Sequence, residues 1–191
     1  MSGRIRVKPL DWVPYIEPVD VTWADPRQRE AMQVTPSSIG VSPYVRTLAH
    51  DPESYLARTI LFNAIMYAPG GLPRADRELG ALGASLVNGC PYCAMVHARR
   101  LTDLTHSDDA VTALWHDRPD QLSQRSQAIW AFARSLSATP SSATPAQILA
   151  LRDAGLSETD IIDLIHAVAI FGWANRLMHP LGHAVPASGK R

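Results

Sequence analysis

Residues 74–101, RADRELGALGASLVNGCPYCAMVHARRL, contain the signals that decide the fold. In the first half, leucines recur at helical spacing, which predicts an amphipathic helix from Arg74 to about Asn88. Asn88 and Gly89 both tolerate the left-handed backbone conformation that ends a helix. A second helix is predicted to begin at Cys90, because Cys90 occupies the N-cap position and Pro91 follows in the first turn. The segment therefore predicts two helices folded into an antiparallel hairpin.

Helix signals continue on both sides of this hairpin. Asp51-Pro52 and Thr144-Pro145 each pair an N-cap residue with a proline at the first helical position. Ser157 and Asp160 resemble a capping box, and the helix that follows is predicted to reach about Met178. No alternating pattern of convincing length predicts a strand. The predicted fold class is all-α.

The helical part of the sequence is bounded by two segments of different composition. Residues 1–42 are rich in proline yet contain several aromatic residues, so we expect an arm that packs across its own domain or onto a neighbouring subunit. Residues 43–182 are predicted to form one helical domain. Residues 183–191 are predicted to be a flexible C-terminal tail.

Composition and charge argue against several classes of partner. Lys plus Arg and Asp plus Glu number 18 each and are scattered along the chain, so we expect no nucleic-acid partner. We also expect no membrane segment, because the most apolar run, residues 161–174, is interrupted by Asp163 and His166. The N-terminus lacks the apolar run of a signal peptide, which predicts a cytoplasmic protein.

The only two cysteines lie three positions apart, a pattern typical of redox chemistry or metal binding.

Four side chains follow the pattern Glu-x11-Cys-x2-Cys-x3-His, formed by Glu78, Cys90, Cys93 and His97. Cys90 and Cys93 are about one helical turn apart, so their Cα atoms are expected roughly 5 Å apart, within the range that a disulfide accepts. His97 follows one turn later on the same helix face. At about 1.5 Å rise per residue, the heights of Glu78 and His97 along the hairpin differ by only about 3 Å. We therefore expect Glu78 to face His97 and Cys93.

These residue types suit nucleophilic chemistry at a thiol. The thiolate is the nucleophile, and an ordinary cysteine with a pKa of about 8.5 is only slightly ionised at neutral pH. A helix N-terminus and a nearby imidazolium both favour the anion. A buried glutamate can orient the histidine and hold a proton. On local grounds, Cys90 at the N-cap is expected to be the more exposed and the more acidic thiol.

The same four residues resemble the site of the alkyl hydroperoxidase D-like (AhpD-like) branch of the carboxymuconolactone decarboxylase superfamily. The resemblance covers roughly residues 45–180, and the arm resembles extensions of peroxidase-related members. It implies an all-helical homo-oligomer that needs no cofactor and reduces a hydroperoxide, with Cys93 as the peroxidatic thiol and Cys90 as the resolving thiol. It makes His97 and Glu78 the proton relay, and it implies a lipoyl-bearing or thioredoxin-like protein as external reductant.

Other interpretations of the motif stay open. A carboxymuconolactone decarboxylase-like enzyme of small molecules could use the same fold without a cysteine pair. The two thiols could exchange disulfides or sense redox state without peroxidase turnover. Together with His97 and Glu78 they could instead hold a zinc ion in a binding module. Near the end of the last helix, Asn175, Arg176 and His179 could line a pocket, and helix capping or subunit contacts explain them equally well.

Overall fold

The protein is described by a computed structural model, which covers residues 7–34 and 40–187. In this part of the chain helices predominate, and the only sheet has two short strands, which confirms the all-α class. The elements, in chain order, are β1 (Leu10–Pro14), α1 (Pro26–Gln33), α2 (Pro43–Leu48), α3 (Pro52–Tyr67), α4 (Arg74–Val87), α5 (Pro91–Thr105), α6 (Asp109–Trp115), α7 (Gln124–Ser137), α8 (Pro145–Asp153), α9 (Glu158–Leu181) and β2 (Gly182–Pro186), and a 3-10 turn lies at Pro119–Gln121 between α6 and α7.

The helices begin where the sequence places capping residues. The Asp51 side chain accepts a hydrogen bond from the Ser54 backbone N–H at 3.2 Å, at the start of α3. Thr144 and Ser157 both form complete capping boxes, at α8 and α9. Each such cap satisfies backbone N–H groups that have no partner within the helix.

The core is arranged around α4, which packs against α5, α7 and α9. Every residue from Arg77 to Ser85 is buried, as expected for a helix enclosed on several sides. The longest helix, α9, is apolar enough to span a membrane by length and composition, but half of its most apolar window is buried in the fold. Buried core helices often have the same length and apolar composition, so the composition of α9 is weak evidence for a membrane span.

The arm is tied to the end of the chain by a two-stranded sheet. β1 and β2 pair antiparallel, with Trp12 opposite Ala184. The predicted flexible tail is therefore wrong for residues 183–186, while residues 188–191 lie outside the described residues. The pairing depends on Gly182, because a Cβ atom there would lie 2.4 Å from Cζ2 of Trp12. The strands are too short, and their partners too distant in sequence, for an alternating pattern to reveal them.

The described part of the arm packs across its own chain, the first of the two arrangements expected for it. A second apolar cluster joins the arm to α2 and the start of α3, and it consists of Val19, Ala24, Ala31, Met32, Val45, Ala49 and Tyr55. β1 also contacts α2 and α5. The arm consequently covers the end of the hairpin where the cysteines lie.

Candidate active site

The turn between α4 and α5 aligns the two helices as the sequence predicts. Gly89 adopts a left-handed conformation with φ of 66°, and the Cys90 N–H donates to the Ser85 carbonyl at 2.9 Å. α5 then runs back along α4, and Oε2 of Glu78 lies 2.5 Å from Nδ1 of His97. Both side chains are buried, Glu78 completely. The expected juxtaposition of Glu78 and His97 is therefore present.

The Glu78 carboxylate also has arginine partners. Nε of Arg74 donates to Oε1 at 2.9 Å, and Nη2 of Arg74 pairs with the same oxygen. Nη1 of Arg100 lies 3.8 Å from it. Burial alone would raise the pKa of Glu78, but the hydrogen bond from His97 and the charges of His97 and Arg74 hold that pKa below its usual value. Glu78 is thus an anion at neutral pH, suited to orienting His97 rather than to storing a proton.

The two cysteines are free thiols enclosed by the arm and by α9. Trp12 and Met178 are buried against them, and three partly buried residues complete the enclosure: Tyr44, Tyr92 and Leu181. Cys90 is 3 % exposed and Cys93 is 9 % exposed. The expectation that Cys90 is the more exposed thiol is wrong, because the arm packs over the N-terminal end of α5.

The thiols differ strongly in acidity. The Cys93 thiol, as hydrogen-bond donor, lowers the pKa of Cys90 to about 7, although burial opposes this effect. The same interaction raises the pKa of Cys93, and burial raises it further. Cys90 is therefore the more acidic thiol, in agreement with its N-cap position.

Asn175 and His179 of α9 approach the thiols from the other side. Asn175 accepts from Nδ2 of Asn88 at 3.1 Å, and Nε2 of His179 lies 3.0 Å from the Asn88 carbonyl oxygen. After the larger effect of Cys93, the charge of His179 and the Asn175 side chain also lower the pKa of Cys90. Arg176 instead donates to the carbonyl of Gly172 at 2.5 Å, away from this site.

Sequence reasoning missed several residues of the site. Arg74 could have been found, since it lies four residues before Glu78 on the same helix. Trp12 and Tyr44 offered no comparable signal, because only the packing of the arm and of α2 brings them to the cysteines. Across residues 7–34 and 40–187, no three or more His, Cys, Asp or Glu side chains are grouped in a way that could hold a metal ion.

A family model described as the carboxymuconolactone decarboxylase family matches residues 52–135, the range that includes all four motif residues. No curated protein matches the chain at a significant level. A solved structure titled alkylhydroperoxidase AhpD core, an uncharacterized peroxidase-related protein from Ralstonia eutropha JMP134, has 25% sequence identity and a TM-score of 0.74 and covers 92% of each chain.

Two further solved structures share the fold. An uncharacterized peroxidase-related protein from Silicibacter sp. TM1040 has 22% identity and a TM-score of 0.72, covering 90% of this chain and 92% of its own. The debrominase Bmp8 has 21% identity and a TM-score of 0.74, covering 87% of this chain and 89% of its own. At these identities the similarity shows the fold alone.

Proposed function

Since the chain is an AhpD-like member of the carboxymuconolactone decarboxylase superfamily, we propose that it is a thiol-dependent peroxidase that reduces hydroperoxides through a disulfide cycle. One observation carries the proposal. Two free thiols, Cys90 and Cys93, lie one helical turn apart, and one turn further His97 is hydrogen-bonded to the buried anion of Glu78. In this proposal, one hairpin supplies the nucleophile, the resolving thiol and the proton carrier.

The cycle begins with attack of a thiolate on the terminal oxygen of the hydroperoxide. The S–O bond forms as the O–O bond breaks, and the leaving alkoxide takes a proton and departs as an alcohol. The oxidised cysteine is now a sulfenic acid. The second thiol attacks its sulfur, an S–S bond forms, and the hydroxide that leaves is protonated to water. The two thiols together supply two electrons and two protons.

We assign Cys93 as the attacking thiol and Cys90 as the resolving thiol, as the family resemblance implies. Cys93 is the more exposed of the two, and it is one turn from His97. The lower pKa of Cys90 favours the opposite order, because at neutral pH the proton shared by the two sulfurs rests on Cys93. Trapping the sulfenic acid in single mutants distinguishes the two orders.

His97 and Glu78 act on protons in this proposal. The carboxylate holds Nδ1 of His97, which leaves Nε2 as the atom that exchanges protons with the thiol and the leaving oxygen. Because Glu78 is an anion, it also stabilises the imidazolium formed when His97 accepts a proton. The pair therefore accelerates the reaction without forming a bond to the substrate.

An external reductant must reopen the disulfide, because the chain has no third cysteine. A lipoyl-bearing or thioredoxin-like protein supplies two electrons by thiol–disulfide exchange. We place the cycle in the cytoplasm, where such reductants keep thiols reduced. We also propose a homo-oligomer, since apolar side chains of the arm and α9 remain exposed, among them Trp23 at 84% and Ile162 at 53%.

Thiol titration tests the proposed function directly. Reduced protein is treated with one equivalent of cumene hydroperoxide, and thiols are counted before and after, with mass spectrometry of the product. We expect both thiols to disappear, with loss of two hydrogen atoms and formation of one equivalent of alcohol. Thiols that stay titratable while the peroxide persists would contradict the proposal.

A second candidate is removal of bromine from a brominated aromatic compound. It is supported by the shared fold with the debrominase Bmp8, one structure of which contains 2,3,4-tribromopyrrole. The thiol pair would supply two electrons, bromide would leave, and the ring carbon would take a proton. This candidate would be favoured if the reduced protein released bromide from 2,3,4-tribromopyrrole and if, in a separate assay, cumene hydroperoxide did not oxidise its thiols.

A further inference from the structure

Three hydrogen-bond donors near the thiol pair are buried and have no partner in the described part of the chain. They are Nε1 of Trp12, the hydroxyl of Tyr44 and Nε of Arg58. A buried donor without a partner costs about 1–3 kcal/mol, and folded proteins contain few of them. Three such donors beside one site are therefore unusual. Each would be satisfied by an acceptor atom that enters the site.

Trp12 and Tyr44 belong to the same apolar cluster as Cys90 and Cys93. Their rings meet edge to face, with centroids 5.3 Å apart. Trp12 is only 6 % exposed, so the indole N–H has no access to bulk water. Burial also raises the pKa of Tyr44, so this phenol keeps its proton and remains a donor throughout the neutral range.

The positive charge of Arg58, on α3, acts on Tyr44 and on Cys93. Burial raises the pKa of Tyr44, and the hydrogen bond with Cys90 raises the pKa of Cys93. The guanidinium charge of Arg58 has a smaller, opposite effect on both groups and lowers each pKa. Within residues 7–34 and 40–187, Arg58 has no carboxylate partner and instead lies over Phe62, with 4.4 Å from its guanidinium carbon to the ring centroid. A cation held this way is free to meet a developing negative charge.

Packed aromatic rings also connect Arg58 to His97. Phe62 contacts Phe171, with ring centroids 5.8 Å apart, and Phe171 contacts the His97 ring at 4.2 Å. Arg58 and Trp173 further line an apolar cavity of about 450 Å³ between α3 and α9. This volume is typical of small-molecule sites, which run from about 300 to 1,000 Å³. Arg58 thus adjoins a space that can seat the organic part of a substrate.

We propose that the Tyr44 hydroxyl and the Arg58 guanidinium, with the Trp12 indole N–H beside them, bind the peroxide oxygens and stabilise the leaving alkoxide. The inference rests on the proposed peroxidase function and assigns a catalytic role to residues outside the Glu-Cys-Cys-His motif. The alkoxide is a strong base, so breaking the O–O bond depends on hydrogen-bond donors that are already in place. Tyr44 donates one hydrogen bond, and Arg58 adds a donor and a positive charge.

The test uses two peroxides that differ in their leaving group. tert-Butyl hydroperoxide releases a strongly basic alkoxide, whereas peracetic acid releases the weakly basic acetate. We expect Tyr44→Phe and Arg58→Met to lower kcat/KM for tert-butyl hydroperoxide by about 10²–10³-fold, the usual effect of removing one oxyanion donor. The loss with peracetic acid should be much smaller, because acetate needs little stabilisation.

Matched controls separate this role from a structural one. Tyr15→Phe changes an exposed tyrosine of the arm, and Arg134→Met removes an arginine that also lies over an aromatic ring, Trp130, at 5.7 Å. Both should leave the two rates unchanged. In Tyr44→Phe, the reaction of the thiols with iodoacetamide should also stay at the wild-type rate.

Equal losses with both peroxides, or no loss in an active protein, would overturn the inference while leaving the peroxidase function intact. A wild-type protein that consumes neither peroxide would overturn both.

Discussion

Oε2 of Glu78 and Nδ1 of His97 are 2.5 Å apart, across the hairpin of α4 and α5. The contact fixes the orientation of the imidazole, because Nδ1 must direct its proton to the carboxylate. Arg74 binds the other oxygen of the same carboxylate. The negative charge of Glu78 therefore interacts with the permanent positive charge of Arg74 and with His97, which is positive only when it is protonated.

Glu78→Gln tests this relationship. Glutamine keeps the shape of the side chain but removes the negative charge, so the imidazolium of His97 loses its stabilising partner. We expect kcat/KM for a hydroperoxide to fall by up to about 10²–10⁴-fold, the range of general acid–base assistance, without reaching zero. Steady-state peroxide consumption across the neutral pH range measures this.

The rate of disulfide formation by diamide, which has no leaving alkoxide, serves as a control. It should change far less. Unchanged peroxide kinetics in Glu78→Gln would show that the carboxylate has a structural role only.

The Glu78–His97 contact was predictable from sequence, whereas the enclosure of the thiols was not. The contact depends on the turn at Asn88–Gly89 and on a constant helical rise, and both are local properties. The enclosure depends on Trp12 packing against Gly182, a contact between opposite ends of the chain. No periodic pattern encodes such a pairing.

The acidity of Cys90 is the subject of the second prediction. Its pKa of about 7 depends first on the hydrogen bond from the Cys93 thiol. In Cys93→Ala this donor is lost, while burial continues to disfavour the thiolate. The apparent thiolate pKa should therefore rise toward or above the ordinary value of about 8.5.

Ultraviolet thiolate absorbance as a function of pH measures this change. In the wild type the pair titrates as a coupled system, so the first proton should be lost near pH 7. An apparent pKa that stays near 7 in Cys93→Ala would indicate that the helix N-terminus or His179 is the main cause.

The third prediction concerns access to the thiols. In Gly182→Ala the added Cβ would lie 2.4 Å from Cζ2 of Trp12 and 2.5 Å from the Val13 carbonyl oxygen. Either β1 or the indole must move, at a cost of about 1–3 kcal/mol. We expect a lower melting temperature and faster alkylation of Cys90 and Cys93 by a bulky maleimide.

Gly172→Ala provides the matched control, since a Cβ there would meet only Nη1 of Arg176, at 3.5 Å. This variant should react with the maleimide at the wild-type rate. If Gly182→Ala lowers the melting temperature but leaves alkylation unchanged, the β1–β2 pair does not control access to the thiols.

The last prediction is that peroxide oxidises Cys90 and Cys93 to an intramolecular disulfide and that both thiols are needed for turnover. Cys93→Ser should abolish peroxide consumption, because the attacking thiolate is gone. Cys90→Ser should permit one attack, after which a sulfenic acid accumulates at Cys93 and cycling stops. Dimedone labelling followed by peptide mass spectrometry locates the sulfenic acid in each variant. The low pKa of Cys90 makes the opposite result a real competitor: an adduct at Cys90 in Cys93→Ser, with none at Cys93 in Cys90→Ser, would invert the two roles. No adduct in either variant, together with one equivalent of zinc in the wild type, would contradict thiol redox chemistry altogether.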